Sequence, residues 1–246
     1  TLSVGNSGAL GTGNFTVTGG TLDASAAALT VANTVALNGD FAFAGTNNLT
    51  LSGANDFTGA TLISAGTLTA ASGALAGTSG ITVNGATLTA VNVNAAATLT
   101  LNATGLATIS AVDQTVGAVT NANATDANAL NFTASTGTVT LASLTGAGKT
   151  TFGSAATITT LDGGTTTVAG VATVTTLTSG TLNANGATAA VTTLNGGDIA
   201  LASTALTVSA GTHAGVISGA NGTLTKSTAG TLILSGANTF GGAITI

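Results

Sequence analysis

The sequence predicts an all-β protein, a β-solenoid in which each turn of the chain stacks on the one before it. Three observations carry that expectation. Of 246 residues, 54 are Thr and 36 are Gly, both weak helix formers, and no apolar stripe runs at helical spacing. Apolar and Thr positions alternate with a period of two and stop at Gly or Asn, the pattern of a half-buried strand closed by a turn. The alternation also recurs at a nearly constant interval, which favours a solenoid over a sandwich or a barrel.

The repeat is clearest in the second half. Ser143-Leu-Thr-Gly146, Thr160-Leu-Asp-Gly163, Thr176-Leu-Thr-Ser179 and Thr193-Leu-Asn-Gly196 place Leu144, Leu161, Leu177 and Leu194 at spacings of 17, 16 and 17. Ile158-Thr159, Val174-Thr175 and Val191-Thr192 precede three of them. At a coil length of about 16 to 20 residues the chain makes roughly 12 to 15 coils, an object on the order of 60 to 70 Å long at about 4.8 Å per coil. Small inward residues fill a thin core, and Thr, Asn and Ser cover the outside. Asn38-Gly39, Asn84-Gly85, Asn185-Gly186, Asn195-Gly196 and Asn221-Gly222 mark turns, supplying left-handed backbone, with Asn side chains able to bond along the axis. The Ala24–Ala28 patch is too short for a helix.

Composition narrows function by exclusion. Seven Asp and two Lys make the net charge −5, and no basic surface exists to neutralise phosphates, which excludes nucleic-acid binding. A hydrophobic content of 44% and a mean hydropathy of +0.58 mark a folding chain rather than a disordered one. No stretch approaches the roughly 18 uninterrupted apolar residues of a membrane span, so this segment is not membrane-embedded. Cys is absent, which removes disulfides and thiolate chemistry and suits a protein that crosses membranes. Pro, Met, Trp, Tyr, Glu and Arg are absent too. Pro would interrupt the ladder between coils, large aromatics would not fit a thin core, and like charges would face each other in adjacent coils.

Two stretches stand apart, residues 45–68 and residues 223–246, sharing Leu-Ser-Gly-Ala-Asn-x-Phe as Leu51–Phe57 and Leu234–Phe240. They resemble the autotransporter-associated β-strand repeat, also called the passenger-associated transport repeat. Its typical form is Lys-x-Gly-x-Gly-Thr-Leu-x-Leu-Ser-Gly-Ala-Asn-Thr-Tyr-Thr-Gly-x-Thr-x-Ile-x-x-Gly-Thr-Leu. Both copies use Phe for Tyr, and the second has Ser227-Thr228-Ala229 in place of the Gly-x-Gly lead. The resemblance implies a right-handed parallel β-helix, as in secreted passenger domains of large bacterial surface proteins, with the motif serving export and folding. It transfers no catalytic residue, cofactor or metal ligand.

Residues 1–246 therefore read as one solenoid segment, an excerpt or tandem unit of a longer surface protein. Thr1 begins within patterned sequence without a leader, and a three-residue x-Ala-Gly bridge would join Ile246 to Thr1 in motif register.

The search for chemistry has ten titratable side chains to draw on. His213 with Ser209 or Ser218 and Asp198 makes a nominal triad, but no Gly-x-Ser-x-Gly turn is present, and His213 reads as a turn or surface histidine. Ser143–Thr150 resembles a phosphate-binding loop, yet a strand rather than a helix follows it. Asp23, Asp40, Asp56, Asp113, Asp126, Asp162 and Asp198 are dispersed. Asp162 and Asp198, two coils apart, approach at roughly 10 Å, a calcium site at most, without the nonapeptide calcium signature. Thr165–Thr167, Thr173–Thr178 and Thr192–Thr193 could align into a flat hydroxyl face of the ice-binding kind. Asn14, Asn48, Asn102, Asn123, Asn131 and Asn221 open Asn-x-Thr sequons.

The expectation is a structural or adhesive extracellular segment of a bacterial surface or filament-forming protein, without enzymatic activity. It would act as a stiff, self-associating scaffold whose partners are adjoining repeats, a second copy, or a host or neighbouring-cell surface. The alternatives are a passenger domain that binds or cleaves glycans, with Asp162, Asp198 and His213 in one groove, and an ice-binding Thr-rich solenoid.

Overall fold

The computed structural model describes residues 1–53 and 55–246, with the backbone alone for Leu37, Asp56 and Phe57. Among these residues there are 28 strands and no helix. Every strand pairing is parallel and joins a residue to one roughly a coil further along, so the strands stack into a β-solenoid of about 13 turns. At about 4.8 Å per turn it is about 60 Å long.

The chain turns through three faces in a fixed order. Face A starts at Leu2–Val4, Gly20–Ala24, Phe41–Phe43 and Ala60–Ile63 and ends at Leu232–Leu234. Face B runs from Leu29–Val31 to Thr239–Phe240, and face C from Phe15–Val17 to Ile244–Thr245. In the middle of the chain the strands run unbroken around corners. Ala155–Val168 alone supplies residues 155–158 to face C, 160–162 to face A and 165–168 to face B.

The alternation read in the sequence is the alternation of the walls. Leu144, Leu161, Leu177 and Leu194 are successive register partners, each at most 3% exposed, so the 16- and 17-residue spacings are coil lengths. Each such Leu gains about 1.5–3 kcal/mol from burial, and the column shares it among neighbouring coils.

Two expectations need correction. Coil lengths vary more widely than 16 to 20 residues, because the register of Gln114–Asn121 on Thr138–Thr145 spans 25. The extra residues 122–129 form an excursion at the corner between faces A and B. Asn123, fully buried, gathers this excursion: its Oδ1 accepts from Thr125 N and Oγ1 and from Asp126 N, and its Nδ2 donates to Gly105 O. The core also admits aromatics. Phe43, Phe132 and Phe152 are fully buried, and Phe132 and Phe152 stack at 5.1 Å with their rings 5° apart. They fit because one rung of the wall lies directly on the next, so a flat ring meets another flat ring.

Candidate functional site

Chemistry on a solenoid would be built at the corners or on the flat faces, and the corners are occupied by structure. A Cβ at Gly186 would lie on the Gly170 carbonyl, and one at Gly39 or Gly196 on the Thr18 or Thr178 carbonyl of the coil beneath. The Asn-Gly pairs do fall at turns, but of their five glycines only Gly85 has a positive φ, +67°. Close approach of stacked backbones, more than left-handed geometry, selects Gly at these corners. Elsewhere in the walls Asn side chains bind backbone or Thr of adjoining coils, as Asn94 Nδ2 does with Thr78 O and Asn183 Nδ2 with Thr167 Oγ1.

The carboxylates are committed in the same way. Asp40, Asp113 and Asp198 accept the backbone N–H of Ala60, Thr138 and Val216, each one coil further on. Asp23 and Asp162 accept from the hydroxyls of Ser3 and Ser179, and Asp126 from Asn123 Nδ2. All six described Asp side chains therefore hold hydrogen bonds within the chain. The seventh, that of Asp56, lies outside the described residues. Among the described residues no group of three His or Asp side chains comes together as a metal site. Asp198→Ala should remove the Val216 cap and lower stability by about 1 kcal/mol, with Asp198→Asn close to the parent, since Oδ1 can still accept. Urea unfolding of the three proteins measures this, and equal midpoints would show that the cap carries no weight.

His213 is not at the surface. It is fully buried as the register partner of Leu234, and its Nε2 lies 2.7 Å from Gly197 O. A carbonyl only accepts, so Nε2 carries the proton, and Nδ1 is the one buried polar side-chain atom without a hydrogen-bond partner among the described residues. The candidate triad does not assemble. Ser209 Oγ meets Ser227 Oγ, Ser218 Oγ donates to Ile199 O, and Asp198 holds Val216 N. Asp162 ends a face A rung while Asp198 opens a face B rung, so the two flank a corner and share no groove with the enclosed imidazole. Ser143–Thr150 rounds a corner at Gly146, φ +94°, into the strand Lys149–Phe152. The sequon Asn123 is enclosed, whereas Asn14, Asn48 and Asn221 are exposed.

The faces show how Thr aligns. Face B carries one outward column of twelve rungs: Thr30, Thr50, Thr69, Thr89, Thr108, Asn131, Thr151, Thr167, Asn183, Ala200, Ser218 and Thr239. It contains no charge. Thr166, between Thr165 and Thr167, points inward and is 1% exposed, so the Thr165–Thr167 triplet gives face B alternate residues. Thr173 joins a second column on face C, over Thr115, Thr140 and Thr157. Face A is interrupted by Asp162, which follows Thr82, Thr100, Thr120 and Thr145 in register.

The two copies of Leu-Ser-Gly-Ala-Asn-x-Phe are parts of the coils. In the first, Ala54 and the side chain of Phe57 lie outside the described residues. The rest correspond position by position. Ser52 N donates to Val31 O and Ser235 N to His213 O, each in the coil beneath. A Cβ at Gly53 or Gly236 would collide with Asn33 O or Gly215 O. Asn55 Oδ1 accepts Val35 N at 2.9 Å, and Asn238 Oδ1 accepts Ile217 N at 2.8 Å. In the lead of the second copy Thr228 takes a φ of +66°, which strains a β-branched residue, and Lys226 Nζ holds the turn through Ser227 O at 2.9 Å and Thr228 O at 2.8 Å. Thr228→Gly should raise stability by about 1 kcal/mol, read as an increased Tm; an unchanged or lower Tm would refute the strain.

The family model for the passenger-associated-transport-repeat matches residues 44–70 and 224–246. In comparisons with curated proteins and with solved structures, nothing matches. No described helix is long and apolar enough to cross a membrane.

Proposed function

We propose that this chain, a β-solenoid carrying two passenger-associated transport repeats, is a displayed structural segment of a bacterial surface protein, and that its role is to be stiff and extended. One observation carries the reading: the repeats are built into the stack as ordinary coils, continuous with the solenoid walls of the described residues. The hydrogen-bond commitments of the corner carboxylates support a structural role. Protease or antibody accessibility on intact cells tests the proposal. Rods about 60 Å long per segment, outside the cell, are the expected result. A segment found only in the cytoplasm would overturn it.

The finer reading is a self-associating, adhesive scaffold, whose partners are adjoining repeats, a second copy, or another cell's surface. The long uncharged Thr columns support it, since they allow close lateral approach without charge repulsion. Electron microscopy separates the cases, because filaments or sheets favour association and isolated rods oppose it. The twelve-rung column on face B supports one further reading, an ordered-water face of the ice-binding kind; absence of thermal hysteresis would eliminate it. The glycan-cleaving alternative has no comparable support, because His213 is enclosed and Asp162 and Asp198 each hold a hydrogen bond within the chain.

A further inference from the structure

The two repeats share a sequence but not a face. In the first copy Leu49–Leu51 lies on face B and Asp56–Phe57 on face C; in the second Leu232–Leu234 lies on face A and Thr239–Phe240 on face B. The second is thus turned by one face of the three about the solenoid axis. A protein that recognised the repeat from outside would meet the copies on different sides of a stiff rod. What remains the same is the contact with the preceding coil. Asn55 directly precedes the register pair of Asp56 with Ala36, and Asn238 that of Thr239 with Ser218, and each Asn takes the N–H of the coil below, Val35 N or Ile217 N. Asn55 also reaches upward, its Nδ2 donating to Ala74 O at 3.2 Å, so a single side chain ties three successive coils.

We infer that the repeat is a coil lock that acts in cis: the partner read by its Asn is the preceding coil of the same chain, whichever face the Asn occupies. The inference rests on the passenger reading only in assigning the lock to passenger folding. The cap satisfies a backbone donor at the start of a strand, where the corner interrupts the ladder, and an uncapped donor there is costly to bury. Each newly closed coil is thereby sealed to the one before it, and the seal depends on register alone.

Residue-resolved hydrogen exchange on the full chain tests the inference. In Asn55→Ala the Val35 amide should exchange roughly tenfold faster, and in Asn238→Ala the Ile217 amide likewise, while Leu161 and Leu177 in the central coils keep their rates. Asn55→Asp and Asn238→Asp retain an acceptor oxygen and should keep both amides protected. Unchanged exchange at Val35 and Ile217 in the Ala variants would overturn the lock. If an Ala variant does not fold, the matching Asp variant decides: protection at the parent rate supports the lock, and loss of protection refutes it. Cell-surface labelling does not enter these rates, so this inference and the display proposal fail separately.

Discussion

Phe152→Ala is expected to lower the unfolding free energy by about 3–5 kcal/mol, the largest effect of any single truncation considered for this molecule. Phe152 is fully buried, stacked on Phe132 below and in register with Val168 above. Parallel stacking leaves little freedom to collapse around the void, because each rung is fixed by hydrogen bonds to two neighbours. The removed ring therefore leaves a cavity and an unstacked Phe132 face. Phe152→Leu should cost about 1–1.5 kcal/mol, since most of the volume remains. Equilibrium urea unfolding followed by circular dichroism measures both. A loss below 1 kcal/mol for the Ala variant would mean that the walls close over the gap. Stability in a solenoid is a sum of coil and neighbour terms, so the same loss should appear as weakened protection in the coils around Phe152 before it appears at Val4 or Leu224.

Gly186→Ala is expected to cost about 2–3 kcal/mol although it adds only a methyl group. Its Cβ would occupy the position of the Gly170 carbonyl, and backbone held by the rungs on both sides cannot move away. Gly13→Ala is the matched control. Nothing lies within 4 Å of a Cβ there and its φ is not left-handed, so the change should be neutral or stabilising by a few tenths of a kcal/mol. The difference in thermal midpoint between the two variants is the readout. Similar midpoints would remove close backbone approach as the reason for glycine at the corners and return the explanation to turn conformation.

Much of the fold was legible because it is local. Alternation of Leu and Thr encodes a two-sided strand, and the spacing of Leu144, Leu161, Leu177 and Leu194 passes directly into register, since residues one coil apart have no other neighbour to pair with. The repeat at 45–68 and 223–246 was legible for the same reason: its Ser, Gly and Asn touch only the coils directly next to them. His213 was not legible. It lies in Gly-Thr-His-Ala-Gly, where nothing local announces a core position, and only its pairing opposite Leu234 encloses it. The capping carboxylates were equally hidden, because Asp40, Asp113 and Asp198 find their partners 20, 25 and 18 residues away, set by coil lengths that differ at each place.

By itself, then, the amino-acid sequence determined the strand, the turn, the repeat and the approximate number of coils, all properties of a residue and its neighbours within about twenty positions. Which face a strand occupies was decided only in the tertiary structure. Face is the running sum of every preceding corner and excursion, including residues 122–129, so identical motifs 183 residues apart, Leu51 and Leu234, end on different sides of one solenoid.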